Sequence, residues 1–369
     1  MKKILFFIPN LSVGGAEKVL VNLVNNLDRT KFDITVQVLF AGGVNEQFLK
    51  KDIRYRYCFQ KMFRGNSQIF KLFKPETLYK HFIKERYDIV VSYLEGPTAR
   101  IVSGCPDKDT KLVCWIHVQQ DNRKIASHSF RSYYEAQNCY DKFHKIVCVS
   151  EYVKKDFQCL LEYKKPIDVL YNTNETEQII KLSKQSPEYI LPLKPLKLCV
   201  VGKLAVRKGV DRIARIHNKL VENGYCTHLA YIGNGSEEDN LKEYFHRQGI
   251  ESSVTFTGYT TNPYQYMAQC DLFVCASLSE GFSTAATEAL ILGVPVCTVD
   301  VSGMKEMLGE NNEYGIVTEN SEDALYEGIK MFLDSPDLLN HYKKQAEIRG
   351  KEFSTENTVK AVESMLLNL

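Results

Sequence analysis

Short runs of Val, Ile, Leu and Phe alternate with amphipathic helical patterns along the whole chain, and this alternation limits the fold most. Strands that are apolar throughout are buried on both faces, which is typical of parallel sheets covered by helices. The helical patterns include 16–27 and 209–222. The sequence therefore predicts an α/β fold. The apolar runs are KILFFIP, FDITVQVLF, DIVVSYL, KLVCWIH and KIVCVS in the first half and KLCVVG, HLAYIG, VTFTG, DLFVCAS and PVCTVD in the second.

The chain length indicates the domain organisation, because 369 residues are too many for a single compact core and are the usual length of two domains. Both halves show the same alternation of strands and helices. We predict an N-terminal domain over 1–174, a linker over 175–196, a C-terminal domain over 197–349, and a final helix over 350–369 that packs back on the N-terminal domain. The linker contains the proline-rich stretch SPEYILPLKPLK. Open α/β sheets bind ligands beyond the carboxyl ends of their strands, so two facing domains would enclose a deep cleft.

Charge and cysteine usage suggest the compartment and the partners. The first 174 residues carry 28 Lys+Arg against 18 Asp+Glu, whereas the remainder is acidic, so the first half is expected to meet an anionic partner. The 11 cysteines form no C-x-x-C pair and mostly lie in apolar runs, which indicates reduced thiols and a cytosolic protein. No apolar run approaches the ~18 residues of a membrane span, and MKKILFFIPN fits a buried strand better than a signal peptide.

Two glycine-containing loops follow predicted strands. Gly14 and Gly15 precede a helix whose first N–H groups could bind an anion, although an ordinary tight turn explains them equally well. The G-x-G-x-x-G dinucleotide pattern is missing there. Gly233, in YIGNGSEED, gives an equally weak signal.

A cationic loop follows the first strand of the second half. Lys203, Arg207 and Lys208 lie within six residues between that strand and a helix. Three cations at a strand's carboxyl end suit a diphosphate, which needs charge neutralisation as well as N–H donors. A solvated basic turn is the alternative, and the position at the end of the sheet favours the phosphate.

The stretch SEGFSTAATEALILGVPV contains two carboxylates around a predicted helix start. Ser283 is a natural N-cap, and Thr284 and the following alanines leave the helix N–H groups open to an anion. Glu280 precedes this helix and Glu288 lies one turn inside it. Carboxylates accept hydrogen bonds from hydroxyl pairs, so each suits a sugar. A plain interaction with the helix dipole is the alternative, but Glu288 lies too deep in the helix for it.

These motifs together resemble the retaining glycosyltransferases of family 4, which have the GT-B fold of two facing Rossmann-like domains. The E-x7-E motif of that family stands here as Glu280 and Glu288. The match spans almost the whole chain in the expected order. Its other parts are GGAE (14–17), VGKLAVRKG (201–209), YIGNGSEEDNL (231–241), VTFTGY (254–259) and LGVPV (292–296).

The resemblance implies roles for individual residues. Lys203 and Lys208 would hold the donor diphosphate, Glu280 the donor hexose and Glu288 the ribose. The family usually has arginine where Lys203 stands, so the grip on the donor is expected to be weaker, because lysine lacks bidentate geometry. The remaining residues expected at the donor are Gly14, Gly15, Gly233, Tyr259, Gly281, Phe282, Ser283 and Thr284.

Two residues of the first half are candidates for the acceptor and the reaction centre. His117 follows the strand KLVCWIH, and the resemblance places a histidine here beside the donor sugar, although a structural role is the common one for a lone histidine. Glu95, in SYLEGPT, is an acceptor contact or an ordinary loop residue. The predicted catalytic set is therefore His117, Glu280 and Lys208.

No metal or cofactor is expected. The stretch DKD (107–109) matches a D-x-D metal motif formally, but it lies in a polar turn and is rejected. GT-B enzymes resemble one another in needing no metal, and the lysines and helix dipoles would stabilise the leaving group instead.

Residues 50–86 contain eleven Lys+Arg and three Asp+Glu, interleaved with aromatic residues. Such a mixture can contact an anionic membrane surface or simply cover a sheet, and no nucleic-acid motif accompanies it. A peripheral position on the inner face of the cell membrane would suit a lipid-linked acceptor. The aromatic residues are Tyr55, Tyr57, Phe59, Phe63, Phe70, Phe73, Tyr79 and Phe82.

The sequence therefore predicts a cytosolic, metal-independent, retaining glycosyltransferase that uses a nucleotide-diphosphate sugar, with UDP favoured over GDP on family frequency. Its acceptor would be a glycan or a lipid-linked saccharide. A sugar-nucleotide epimerase of the same fold is a second hypothesis, which the E-x7-E motif disfavours. A binding module without turnover is the third, and release of nucleotide in the presence of acceptor would exclude it.

Overall fold

The computed structural model describes residues 1–12, 14–120, 122–188, 190–192 and 195–369. They form two compact units, of which the first is Met1–Asn174 with Thr355–Leu369 and the second is Glu175–Ser354. Each unit contains one sheet whose strands all pair in parallel. The α/β fold predicted from the alternating pattern is thus confirmed.

The first unit has seven strands and eight helices among the described residues. Its strands are β1 Lys2–Ile8, β2 Phe32–Phe40, β3 Arg54–Phe59, β4 Ile89–Ser92, β5 Lys111–Ile116, β6 Lys145–Cys148 and β7 Ile167–Val169. Its helices are α1 Gly15–Asn26, α2 Asn66–Leu72, α3 Pro75–Phe82, α4 Pro97–Val102, α5 Arg123–Ala126, α6 Tyr133–Tyr140, α7 Glu151–Leu161 and, after the second unit, α16 Thr355–Leu367.

The second unit has six strands and eight helices among the described residues. Its strands are β8 Leu196–Val201, β9 Thr227–Ile232, β10 Val254–Phe256, β11 Leu272–Cys275, β12 Val296–Val299 and β13 Ile316–Thr318. Its helices are α8 Thr176–Ser183, α9 Val210–Glu222, α10 Glu238–Gln248, α11 Tyr264–Met267, α12 Thr284–Ile291, α13 Met304–Leu308, α14 Glu322–Asp334 and α15 Pro336–Glu352.

Both sheets are doubly wound. The strand order is β3-β2-β1-β4-β5-β6-β7 in the first unit and β10-β9-β8-β11-β12-β13 in the second. In each sheet the chain starts at an inner strand, builds outward to one edge, and returns to build the other side. Crossovers between parallel strands are right-handed as a rule, so a sheet built in opposite directions from its reversal has helices on both faces. Covered faces explain why the inner strands are apolar throughout. The direction reverses between β1 and β4 and between β8 and β11.

Three strands of the sheets were absent from the sequence prediction. β3 is an edge strand in which arginine alternates with tyrosine, so it lacks the apolar run that marks an inner strand. β7 and β13 have three residues each and are too short to stand out as a pattern.

The segment predicted as a linker, 175–196, contains helix α8 and belongs to the second unit. Three residues of this segment, Tyr189, Leu193 and Lys194, lie outside the described residues. Within the second unit α8 contacts α11 and α12.

Helix α16 belongs to the first unit, although the whole second unit precedes it in the chain. The carboxylate of Glu363 accepts a hydrogen bond from the Asp28 N–H at 2.7 Å and pairs with Lys31 at 2.8 Å. Asn174 is the last residue of the first unit before the second unit, and Thr355 is the first residue after it. The Thr355 hydroxyl donates to the carbonyl of Asn174 at 2.6 Å. The two points where the chain leaves and re-enters the first unit are therefore neighbours.

Within the described ranges, none of the helices combines the length and the apolar character that crossing a membrane requires.

Candidate active site

The reversal between β8 and β11 places two loops side by side at the carboxyl edge of the second sheet. One loop runs from the end of β8 to Gly209, and the other from the end of β11 to Ser283. In doubly wound sheets such a reversal opens a crevice that binds ligands. The predicted cations Lys203 and Lys208 lie in the first loop, and Glu280 lies in the second.

An ion pair joins these two loops. The Lys208 ammonium donates to Oε1 of Glu280 at 2.6 Å, and the Ser277 hydroxyl donates to the same oxygen at 2.7 Å. The Glu280 side chain is 11% exposed and that of Lys208 is 39% exposed. The structure thus brings together a cation and a carboxylate that the sequence separates by 72 positions.

Ser302 holds the backbone of Glu280, and the sequence analysis missed it. Its hydroxyl donates to the Glu280 carbonyl at 2.5 Å and accepts from the Glu280 N–H at 3.2 Å. Ser302 is buried and has a φ of 48°, which is uncommon for a residue other than glycine. The available signal was its position just beyond β12, at the same edge of the sheet.

Glycines allow the backbones of the loops after β8, β9 and β11 to pack closely against one another. A Cβ on Gly209 would meet the carbonyl oxygen of Ala276 at 2.0 Å, and one on Gly233 would meet that of Gly202 at 2.1 Å. Gly209 also has a φ of 63° and is the N-cap of α9. Because no side chain fits at these positions, the glycines hold the cationic loop in contact with the loop of Glu280.

Helix α12 begins at the same edge with the predicted cap. The Ser283 hydroxyl accepts from the Ala286 N–H at 3.3 Å, and Thr284 is the first helical residue. The backbone of Gly281 and Phe282 leads into this cap, but the Phe282 ring is buried and packs edge-on against Phe353 at 5.7 Å. The Phe282 side chain therefore anchors the loop in the interior of the second unit.

Glu288 lies in the second turn of α12 and is buried, with 4% exposure. The Tyr264 hydroxyl donates to its Oε1 at 3.1 Å. Tyr264, which sequence analysis missed, begins α11 and is itself buried. One oxygen of the carboxylate is thus oriented by the tyrosine.

Two predicted donor residues are exposed. Lys203 is exposed in the loop after β8. Tyr259 is 49% exposed and follows Gly258, which forms an isolated antiparallel bridge with Gly233. The loop of Tyr259 and the loop of Gly233 are therefore neighbours.

Arg212 is a buried cation under this edge that sequence analysis also missed. It lies in the first turn of α9 and is 8% exposed. Its Nη1 donates to the Ala276 carbonyl at 3.1 Å and to Oδ1 of Asn320 at 2.8 Å. It forms no ion pair within the described part of the chain, so its positive charge adds to that of the loop.

The first sheet repeats this arrangement at its own reversal. Gly14 and Gly15 follow β1, and Glu95 follows β4. Gly14 is the N-cap of α1 in an extended conformation, with no side-chain cap. The predicted glycine loop and the predicted carboxylate thus lie after the two strands where the sheet reverses.

Glu95 is tied to His117 through the backbone. The His117 N–H donates to Oε2 of Glu95 at 2.9 Å. Burial, with a smaller contribution from the Glu17 carboxylate, raises the pKa of Glu95 to about 6, although hydrogen bonds from the His117 N–H and the Gln120 side chain partly oppose this. Glu95 therefore changes its charge close to neutral pH.

The His117 ring is buried and neutral. Burial lowers its pKa to about 3, and its ring lies 4.8 Å from that of Tyr93. Its Nε2 has no hydrogen-bond partner among the described residues. A buried, unpaired nitrogen costs free energy, so it is a group available to a ligand.

The DKD stretch and the basic segment 50–86 have structural contacts. Asp107 and Asp109 both pair with Arg86, at 2.7 and 2.8 Å. No cluster of three or more potential metal ligands occurs in the ranges that the structure describes. Most aromatic residues of 50–86 pack inward, contrary to a surface role for the whole set. Phe59, Phe63, Phe70 and Phe82 contact one another, Tyr79 is buried, and Tyr55 donates to Glu46.

Two family models match the chain. The model described as Glycosyltransferase Family 4 matches residues 13–178, and the model described as Glycosyl transferases group 1 matches residues 183–349. Together they take in nearly all of both units.

Curated relatives and a solved structure are also similar. The chain is 31% identical over 191 residues to the N-acetylgalactosamine-N,N'-diacetylbacillosaminyl-diphospho-undecaprenol 4-alpha-N-acetylgalactosaminyltransferase of Campylobacter jejuni, which covers 51% of this chain and 50% of that protein. It is 24% identical to the lipopolysaccharide 1,6-galactosyltransferase of Salmonella typhimurium, with 81% of each covered. The structure of Anabaena HepE in complex with UDP has a TM-score of 0.78 at 18% identity, with 100% of both chains covered.

Proposed function

This chain belongs to the glycosyltransferases with the GT-B fold, and we propose that it transfers a hexose from a UDP-sugar to a glycan or a lipid-linked saccharide. The observation that carries the proposal is the Lys208–Glu280 ion pair at the reversal of the second sheet. A nucleotide sugar presents a diphosphate beside a ring of hydroxyls, and this pair offers a cation and an acceptor side by side.

The donor is proposed to bind along the edge of the second unit. Lys203 and Lys208 neutralise the diphosphate, and the first N–H groups of α12 face the same negative charge. Glu280 accepts hydrogen bonds from hexose hydroxyls, with its direction set by Ser302. Glu288 accepts from the ribose hydroxyls. The UDP complex of HepE, which has the same fold, supports the choice of uridine.

In the proposed reaction, the bond between the sugar C1 and the diphosphate oxygen breaks as an acceptor hydroxyl oxygen forms a bond to C1. The hydroxyl proton passes to the departing phosphate. Lys208 and the start of α12 stabilise the charge that grows on the diphosphate, and no metal ion is needed for this. Attack on the face from which UDP leaves, which retains the anomeric configuration, is part of the proposal and rests on the resemblance to family 4.

The acceptor is proposed to bind at the reversal of the first sheet. Glu95 and the unpaired Nε2 of His117 are the polar groups there that suit a saccharide hydroxyl. The named relatives act on an undecaprenol-diphosphate saccharide and on lipopolysaccharide, which supports a lipid-linked or polysaccharide acceptor.

Calorimetry with UDP and GDP, followed by assays of UDP release from UDP-glucose, UDP-galactose and UDP-N-acetylglucosamine, tests the donor assignment. We expect UDP to bind more tightly than GDP, and one UDP-hexose to be hydrolysed slowly in the absence of acceptor. Glu280→Gln should reduce this hydrolysis at least a hundredfold, because glutamine cannot keep the charge pairing with Lys208.

Glu238→Gln is the matched control, since Glu238 pairs with Lys242 at 2.6 Å on the exposed face of α10. Its activity should equal that of the wild type. A protein that binds neither nucleotide would refute the proposal. Inverted anomeric configuration in an NMR spectrum of the product would refute retention alone.

A further inference from the structure

The surface formed by residues 61–74 is suited to a lipid bilayer, and we propose that the first unit docks through it on anionic membranes. We call residues 61–74 the docking surface. It comprises the turn after β3, helix α2 and the two residues that follow α2. The inference goes beyond the proposed sugar transfer, because none of its residues takes part in donor or acceptor binding.

Four large apolar side chains of the docking surface point to solvent. Leu72 is 75% exposed and Met62 is 62% exposed, and Phe73 and Ile69 follow with 46% and 43%. The neighbouring Phe63 and Phe70 pack inward against other rings. The segment therefore sorts its apolar residues into a buried set and an outward set.

Hydrogen bonds from two arginines hold the end of α2, which carries Leu72 and Phe73. Nη1 and Nη2 of Arg100, a side chain with 1% exposure, donate to the carbonyls of Phe70 and Phe73 at 2.9 and 2.8 Å. Arg131 donates to the carbonyl of Leu72 at 2.9 Å. Glu135 joins the two arginines, because it pairs with Arg100 at 2.9 Å and accepts from the Arg131 N–H. The end of α2 is thus fixed with Leu72 and Phe73 outward, so their exposure is not due to a frayed helix end.

The charge of the docking surface indicates that its binding partner is anionic. Its sequence, KMFRGNSQIFKLFK, has four basic residues and no Asp or Glu. Lys61, Arg64, Lys71 and Lys74 form no ion pair within the described ranges, whereas Arg54 and Arg56 on neighbouring β3 pair with Asp33 and Glu85. Unpaired cations around exposed apolar side chains match the headgroups and the acyl boundary of an anionic bilayer.

The docking surface is connected to the proposed acceptor site by one short helix. Arg100, which holds the end of α2, lies on α4, and α4 begins two residues after Glu95. A membrane bound at the docking surface would therefore lie on the same unit as the residues proposed for a lipid-linked acceptor.

Co-sedimentation with vesicles tests the inference. The vesicles contain equal parts of phosphatidylglycerol and phosphatidylcholine, or phosphatidylcholine alone. We expect the wild type to bind only the anionic vesicles. Neutralisation of the four cations to glutamine should weaken this binding several hundredfold, at about fivefold per basic residue. Ile69→Ser with Leu72→Ser should weaken it at least tenfold without altering charge, because less apolar surface is buried.

A charge-matched control neutralises four lysines of the second unit, Lys242, Lys330, Lys343 and Lys344, and should leave vesicle binding unchanged. Equal loss in this control would show a general charge effect and overturn the inference. A wild type that stays in solution with anionic vesicles would also overturn it. Light scattering that shows two copies of the chain associating through the docking surface would overturn it as well.

UDP calorimetry on the same samples separates the two proposals, because loss of nucleotide binding refutes only the sugar transfer.

Discussion

At the scale of single residues, the second carboxylate of the E-x7-E motif is a buried group with an orienting partner. Glu288 is 4% exposed and accepts from the Tyr264 hydroxyl. A carboxylate fixed in this way binds a hydroxyl pair without first losing side-chain freedom, which favours affinity. Its proposed role at the ribose therefore depends on Tyr264 as well as on its own charge.

We expect Glu288→Gln to weaken UDP binding at least tenfold, because the amide is a poorer acceptor for two hydroxyls. Tyr264→Phe should weaken it by a smaller factor, since it removes the orienting hydrogen bond and leaves the carboxylate in place. Calorimetry with free UDP measures both, and Tyr266→Phe on the same helix is the control. Unchanged UDP affinity in Glu288→Gln would contradict the ribose assignment.

The buried His117 should make the protein sensitive to acid. Its pKa is lowered to about 3, so below pH 6.5 the unfolded chain binds a proton that the folded chain does not. Its contribution to stability is therefore lost progressively as the pH falls from 6.5 towards 3. Glu95 acts in the opposite sense, because its raised pKa of about 6 lets the folded state keep a proton between pH 4.5 and 6.

We expect His117→Gln to reduce the loss of unfolding free energy between pH 7 and pH 4 by roughly 2 to 3 kcal/mol, since glutamine has no proton to bind. Urea denaturation at the two pH values measures it. His246→Gln is the control, because that ring is 80% exposed and should change little. The same acid dependence in His117→Gln and wild type would show that His117 is not buried in neutral form.

At the scale of elements, the start of α12 has a role in stability and a proposed role in donor binding, and these two roles can be separated. Ser283 caps α12 at the proposed donor site, and Ser321 caps α14 through a hydrogen bond from the Ala324 N–H at 3.1 Å. The two caps are chemically the same. Only the first lies at the edge where the sheet reverses.

We expect Ser283→Ala and Ser321→Ala each to lower the free energy of unfolding by about 1 kcal/mol. Only Ser283→Ala should also raise the KM for the UDP-sugar, because the first N–H groups of α12 lose their fixed direction at the diphosphate. Thermal denaturation and donor kinetics measure the two effects. An equal KM in both variants would argue against a diphosphate at α12.

The sequence predicted the inner strands and the positions of the loops that follow them, because both depend on local pattern. A run such as DLFVCAS is apolar wherever a parallel sheet buries it, and Lys208 and Glu280 each follow such a run. Ser302 also lies just beyond such a run, but pattern alone singles out neither Ser302 nor Arg212, which lies inside α9. Their roles arise from contacts with Glu280 and Ala276, which are distant in the sequence, and a lone serine or arginine has no pattern of its own.

At the scale of the whole molecule, both units place their proposed site residues at the reversal of a doubly wound sheet. In the first unit these are Glu95 and the loop of Gly14, and in the second they are Lys208 and Glu280. The positive groups proposed to stabilise the leaving diphosphate all belong to the second unit. Their charge is built into the chain and does not depend on an added ion.

We therefore expect turnover to persist in excess EDTA, with a rate within twofold of the untreated protein. Lysine ammonium groups and helix N–H groups supply the charge stabilisation that a metal ion provides in other enzymes. UDP release with and without chelator is the measurement. Activity that EDTA abolishes and that magnesium or manganese restores would contradict metal independence.

The placement of α16 has a consequence for the order in which the protein is made. The ribosome completes residues 175–354 before it reaches Thr355–Leu367, which belong to the first unit. The second unit is contiguous and can fold while translation continues, whereas the first must wait for its last helix and the Glu363 contacts with Asp28 and Lys31. The unit that is synthesised first is thus completed last.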